Sequence, residues 1–72
     1  MRKIEVTAPN GKRFQYHRPE NVHVVILNSD KGMSVYGWHR TEAAAEAAAE
    51  NARKMWSDLG VEVYRRTARP IN

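Results

Sequence analysis

The chain of 72 residues and 8.3 kDa has room for one small domain, and 12 Lys and Arg against 8 Asp and Glu give it a formal charge of +4 and a pI near 9.9. It has no cysteine, which excludes disulfides, thiolate metal sites and thiol nucleophiles. No apolar run approaches the roughly 18–20 residues of a membrane span, and Met1–Glu5 lacks a signal-like apolar stretch, so a soluble cytoplasmic protein is expected.

In chain order, the first feature is the turn cluster Ala8-Pro9-Asn10-Gly11-Lys12 between two extended runs. A two-residue Asn10-Gly11 loop would oppose Val6 with Gln15 and mix apolar with polar on each face. A three-residue Pro9-Asn10-Gly11 loop opposes Val6 with Phe14 and Ile4 with Tyr16, and sets Gly11 at the left-handed position of a bulged type I turn. The second register is expected, with strands over residues 2–8 and 12–17. Arg18-Pro19-Glu20-Asn21 ends this hairpin. Val22-His23-Val24-Val25-Ile26-Leu27 is rich in β-branched residues and predicts the central strand. After the turn Asn28–Gly32, Met33–His39 predicts a fourth strand, in which Gly37 signals a bulge or a close backbone approach.

The period then changes from two to 3.6. Thr41 is the expected N-cap of an Ala-rich helix running to Leu59-Gly60. Ala45, Ala48, Ala52, Met55, Trp56 and Leu59 form its apolar stripe. Glu42, Glu46 and Glu50 lie away from it, with Lys54 placed to pair with Glu50. Val61–Arg66 alternates as a last strand, and residues 68–72 are expected to fray. The expected fold is therefore α+β: a single domain over residues 1–67, with a single antiparallel sheet in the order β-β-β-β-α-β and one Ala-rich helix packed on one face. The set expected to face the helix is Ile4, Val6, Phe14, Tyr16, Val22, Val24, Ile26, Met33, Val35, Val61 and Val63.

A single helix covers one side of such a sheet. The other side would display Lys3, Arg13, Gln15, His17, His23, Val25, Leu27, Tyr36, Trp38, Arg40, Tyr64 and Arg66. If Gly37 bulges its strand, Tyr36 and Trp38 turn instead toward the helix. Residues 41–59 hold four acids and two bases, and the remainder ten bases and four acids, so the helix is acidic and the rest basic. Cations mixed with rings are the chemistry of phosphate contact and base stacking. Lys3, Arg13, Arg40 and Arg66 are the expected phosphate contacts, Tyr36 and Trp38 the stacking groups, and His17, His23 and Tyr64 complete the surface. The partners expected are DNA, RNA or a nucleoprotein complex. The apolar strip Val25, Leu27 and Trp38 has a competing use as a homodimer contact.

Nothing in the chain points to catalysis. Ser29, Ser34 and Ser57 lie in no nucleophile motif, and no glycine-rich phosphate loop occurs. His17, His23 and His39 have no ligand spacing, and only His17 and His23 are placed to meet across strands, so no metal or cofactor is expected. A core this small, giving about 3–5 kcal/mol, also suits a non-enzymatic binding module better than a deep active-site cleft.

The passage Ser34-Val35-Tyr36-Gly37-Trp38-His39-Arg40-Thr41 and the alanines that follow resemble the strand–Gly–x–aromatic–x–Thr–helix passage of two DNA-binding groups. These are the arm-binding domains of phage-type tyrosine recombinases and the plant ethylene-response domains. The resemblance implies a three-stranded sheet that enters the major groove with an Ala-rich helix behind it. Gly37, Thr41, Ala45 and Ala48 fit this pattern, while His39 stands where an aromatic is usual. The Thr41-led helix after three strands is also similar to HicB-type antitoxins, whose glycine-proline signature is missing here. In size and style the chain resembles small phage accessory proteins, anti-CRISPR inhibitors among them. That resemblance implies an alternative function: inhibition by protein contact with a host complex, in the host cytoplasm.

Overall fold

A computed structural model describes residues 2–71. Two antiparallel hairpins open the fold. In the first, β1 (Lys3–Thr7) and β2 (Arg13–Tyr16) pair with Val6 opposite Phe14 and Ile4 opposite Tyr16. This is the register of the three-residue loop. Gly11 takes φ +90° and its N–H donates to the Ala8 carbonyl at 2.8 Å, as that turn requires. The second hairpin joins β3 (His23–Ser29) to β4 (Gly32–His39) around Asp30-Lys31. The helix α1 (Glu42–Trp56) starts at Thr41, whose Oγ1 accepts the Ala44 N–H at 3.1 Å. It ends at Trp56 rather than at Leu59, because Ser57–Leu59 tightens into a 3-10 turn before Gly60 at φ 69°. Then follow β5 (Glu62–Thr67) and β6 (Arg69–Ile71).

The α+β class holds, but the strands make two three-stranded antiparallel sheets instead of one, in the orders β2-β1-β6 and β4-β3-β5. One extended segment supplies both β5 and β6. It bends at Ala68, whose side chain is buried and whose N–H donates to the Val22 carbonyl at 2.8 Å. Beyond the bend, residues expected to fray pair with β1: Arg69 opposite Glu5, Pro70 opposite Ile4 and Ile71 opposite Lys3. Pro70 is accommodated because β6 is an edge strand, where a missing N–H leaves no ladder bond broken. Met1 and Asn72, at the outer limits of the expected 1–67 and 68–72 segments, lie outside the described residues.

The core has two layers. Ile4, Val6, Ala8 and Ala68 meet Val24 and Ile26 between the two sheets, flanked by Phe14, Tyr16, Val22, Met33, Val35, Trp38 and Tyr64. Val25, Ala45 and Ala49 meet between β4-β3-β5 and α1, flanked by Tyr36, Ala48 and Val63. The sheet β4-β3-β5 is therefore the middle layer, with α1 on one side and β2-β1-β6 on the other.

This corrects the expected facing. Val24, Ile26 and Val35 look toward the other sheet, not the helix, and Val25, expected in water, lies under Ala45 and Ala49. The physical reason is the unbroken run Val24-Val25-Ile26, all fully buried: a strand covered on both sides has no polar alternation. On α1 the fully buried residues are Ala45, Ala49 and Ala52, while Met55 and Leu59 stay exposed. No described helix is long and apolar enough to cross a membrane.

Candidate nucleic-acid interface

The β-bulge at Gly37 decides where the two rings go. The ladder pairs Val24 with Trp38 and Val25 with Gly37, then Ile26 with Val35, so Tyr36 is the extra residue. Val35 and Trp38 consequently share one face although three apart in sequence. Trp38 lies against the other sheet and stacks on Tyr16, with ring centroids 4.8 Å apart and planes 7° from parallel. Tyr36 turns to the helix, edge-on to Trp56 at 5.4 Å, and its Oη accepts from Asn51 Nδ2 at 3.4 Å. Neither ring stands on an open sheet face. A dimer through Val25, Leu27 and Trp38 loses its surface for the same reason, since Val25 is under the helix and Trp38 is stacked.

The other expected site residues divide among three places. Lys3 and Arg13 are exposed on the outer side of β2-β1-β6, where the polar positions of both strands alternate with the core, and His17 follows at the exposed end of β2. Tyr64 and Arg66 lie on β5 on the side of Val24 and Ile26. The Arg66 guanidinium sits 5.6 Å from the Tyr64 ring centre and its Nη1 donates to the Arg65 carbonyl at 2.9 Å. Partial burial, then the Glu62 carboxylate and its hydrogen bond, push the Tyr64 hydroxyl above the ordinary tyrosine value, with Arg66 opposing them. His23 is half-buried opposite His39 and Thr67, and Arg40 is exposed between β4 and α1. β2 pairs with β1 alone, so His17 is no ladder neighbour of His23. Among the described residues no three His, Asp or Glu side chains gather into a metal site.

The expected surface is thus broken up, but its cations are not scattered. The β2-β1-β6 layer with its loops holds Arg2, Lys3, Lys12, Arg13, Arg18 and Arg69, against the two acids Glu5 and Glu20. On the opposite side of the middle sheet, Glu42–Leu59 holds Glu42, Glu46, Glu50 and Asp58 against Arg53 and Lys54. Charge is segregated across the thickness of the molecule. The ion pairs found among the described residues belong to the acidic side: Glu46 meets Arg65 at 3.4 Å and Arg53 at 3.8 Å, in place of the expected Glu50–Lys54 pair.

Arg69 is the cation that sequence reasoning missed. At the bend, a notch of about 290 Å³ is lined by Glu5, Thr7, Thr67, Arg69, Pro70 and Ile71. The Arg69 guanidinium and two threonine hydroxyls are donors suited to phosphate oxygens, while Glu5 accepts from Gln15 Nε2 at 3.2 Å. The available signal was alternation: Val63, Arg65, Thr67 and Arg69 keep one parity straight through Ala68. Pro70 lies in the segment expected to fray, although an edge strand tolerates it.

The reading mode implied by the recombinase-like passage uses the helix-free side of the sheet, and here that side packs on β2-β1-β6. Comparison with known proteins finds no matching family model, no similar curated protein and no similar solved structure.

Proposed function

We propose that the protein is a non-enzymatic binding module that contacts nucleic acid through the outer face of β2-β1-β6, with Lys3, Arg13 and Arg69 on phosphates and His17 at the margin. The observation that carries this reading is the segregation of six bases and two acids onto that layer, away from the acidic helix. A cationic face of this kind gains affinity by releasing counterions from the phosphate backbone. The aromatic side chains of the first hairpin, Phe14 and Tyr16, pack inward, so this surface offers charge without stacking. Binding is therefore tolerant of sequence and prefers duplex, the denser polyanion, over single strands.

A fluorescence titration of labelled duplex and single strands between about 50 and 200 mM salt tests this directly. Lys3→Gln, Arg13→Gln and Arg69→Gln each lower the slope of log affinity against log salt by about 1. Glu5→Gln strengthens binding, because it removes the one acid on the three strands of that sheet. Absence of binding at the lowest salt, with co-purification of a host complex from lysate, supports the inhibitor reading instead.

A further inference from the structure

The notch at the Ala68 bend holds more than a cation. Glu5 and Arg69 are direct ladder partners across β1 and β6, so their Cβ atoms stand about 5 Å apart, within reach of an ion pair. No such pair forms among the described residues. The ion pairs there join Glu46 to Arg53 and Arg65, and the Glu5 carboxylate instead accepts from Gln15 Nε2 on β2 at 3.2 Å. The two opposite charges thus line the same notch, of about 290 Å³, without closing on each other. Thr7 and Thr67, both exposed, line it as well, so hydroxyls reach it from β1 and from β5.

The side chains of the notch therefore combine three donor groups, Arg69, Thr7 and Thr67, with one anionic acceptor, Glu5. That set discriminates among phosphates. An internal phosphodiester has two free oxygens and no proton to give, so the carboxylate repels it. A terminal monoester has three free oxygens for the donors and, with a second pKa of about 6, a P–O–H that Glu5 accepts. The notch also borders the cationic face, because Thr7 pairs with Arg13 and Ile71 with Lys3. A strand end seated in it leaves the neighbouring diesters over those two cations.

We infer that the notch is a subsite for the terminal phosphate monoester of a nucleic-acid duplex, held by the Arg69 guanidinium and the Thr7 and Thr67 hydroxyls and donating its own proton to Glu5. The inference rests on the reading of the β2-β1-β6 face as a nucleic-acid surface and adds to it a preference for phosphorylated ends. Because the carboxylate selects the protonated monoester, the preference is present below the second pKa of the phosphate and declines as pH rises through it. Arg69 faces Glu5 from β6, Lys3 flanks it on β1, and on the β2 side Arg13 and His17 lie to either side of Gln15. Lys3, Arg13 and His17 meet phosphorylated and unphosphorylated duplexes alike, so they drop out of the ratio of the two affinities.

Short duplexes identical but for a 5′-phosphate or a 5′-hydroxyl, titrated against the full chain at about 50 mM salt and at about pH 6 and about pH 8, test this. The phosphorylated duplex binds about tenfold more tightly at the lower pH, and the ratio falls at the higher. Thr7→Val and Thr67→Val, both at exposed strand positions, each lower that ratio about threefold while leaving the far-UV circular dichroism unchanged. In Glu5→Gln the ratio no longer falls with pH. Equal, salt-dependent binding of the two duplexes overturns the inference and leaves the reading of the face standing, whereas absence of binding by either removes both. A ratio untouched by the two threonine substitutions also overturns it. So does a phosphoserine peptide bound as tightly as the phosphorylated duplex, which would make the ligand a phosphoprotein.

Discussion

Gly37 directs three side chains. It is half of the bulge that sends Tyr36 to the helix and Trp38 to the other sheet, and it leaves room for the imidazole of His39. A Cβ at Gly37 would stand 2.7 Å from His39 Nε2, an atom that is buried without a hydrogen-bond partner. Gly37→Ala therefore forces the ring to move and costs about 1 kcal/mol, the low end of overpacking. The expected result in denaturant unfolding is that His39→Ala removes most of this cost; an equal penalty in both backgrounds would place the strain in the backbone instead. Much at this scale was legible in advance. The Pro9-Asn10-Gly11 register, the Thr41 cap and the left-handed Gly60 follow from local chemistry alone. The bulge was legible too, but not its outcome. One inserted residue reverses side-chain parity, so the strict alternation that assigns faces in a regular strand gave Tyr36 and Trp38 one side when they occupy two.

Among the elements, α1 shows why its alanines matter and why their phase was misread. Ala45, Ala49 and Ala52 are fully buried, which lets the helix approach Val25 closely. The expected stripe has Ala48 where the buried face has Ala49, and Trp56 and Leu59 are its expected anchors at the wider end. Trp56 is half-buried against Tyr36, but the tightening at Ser57 turns Leu59 away, and Leu59 and Met55 lie in water. Burial rather than hydropathy set the true phase, and a run of near-identical alanines cannot report it. Ala49→Leu should cost about 1–3 kcal/mol by overpacking against Val25. Ala47→Leu, on the exposed side, should stay within about 0.5 kcal/mol. Thermal melts of the two variants separate the faces, and equal effects would contradict the placement of α1.

At the scale of the whole molecule, the number of layers was the least legible feature. A sequence of strands and one helix fits an open sheet, and only the unbroken Val24-Val25-Ile26 run indicated cover on both sides. The cover comes from the first hairpin folding over the second, an arrangement closed by residues that looked like a loose end. Deleting residues 68–72 should therefore be severe. It removes β6 from β1 and the Ala68 anchor, and uncovers Ile4 and Val6, each worth about 1.5–3 kcal/mol when fully buried. In a domain with so little reserve, the truncated chain should lose its cooperative melt by circular dichroism. Retention of the wild-type melting temperature would show that β6 contributes nothing.

The bend at Ala68 also sets how the chain reaches this state. Each hairpin is local and can zip within microseconds. The terminal segment must instead find partners near the beginning of the chain and in its middle at once, since β6 pairs with β1 and β5 with β3. That long-range closure is the slow step, so stopped-flow refolding should show one phase on the millisecond-to-second scale, and sub-millisecond relaxation would argue against it. Because a single segment latches both sheets, neither can open at leisure while the other stays shut.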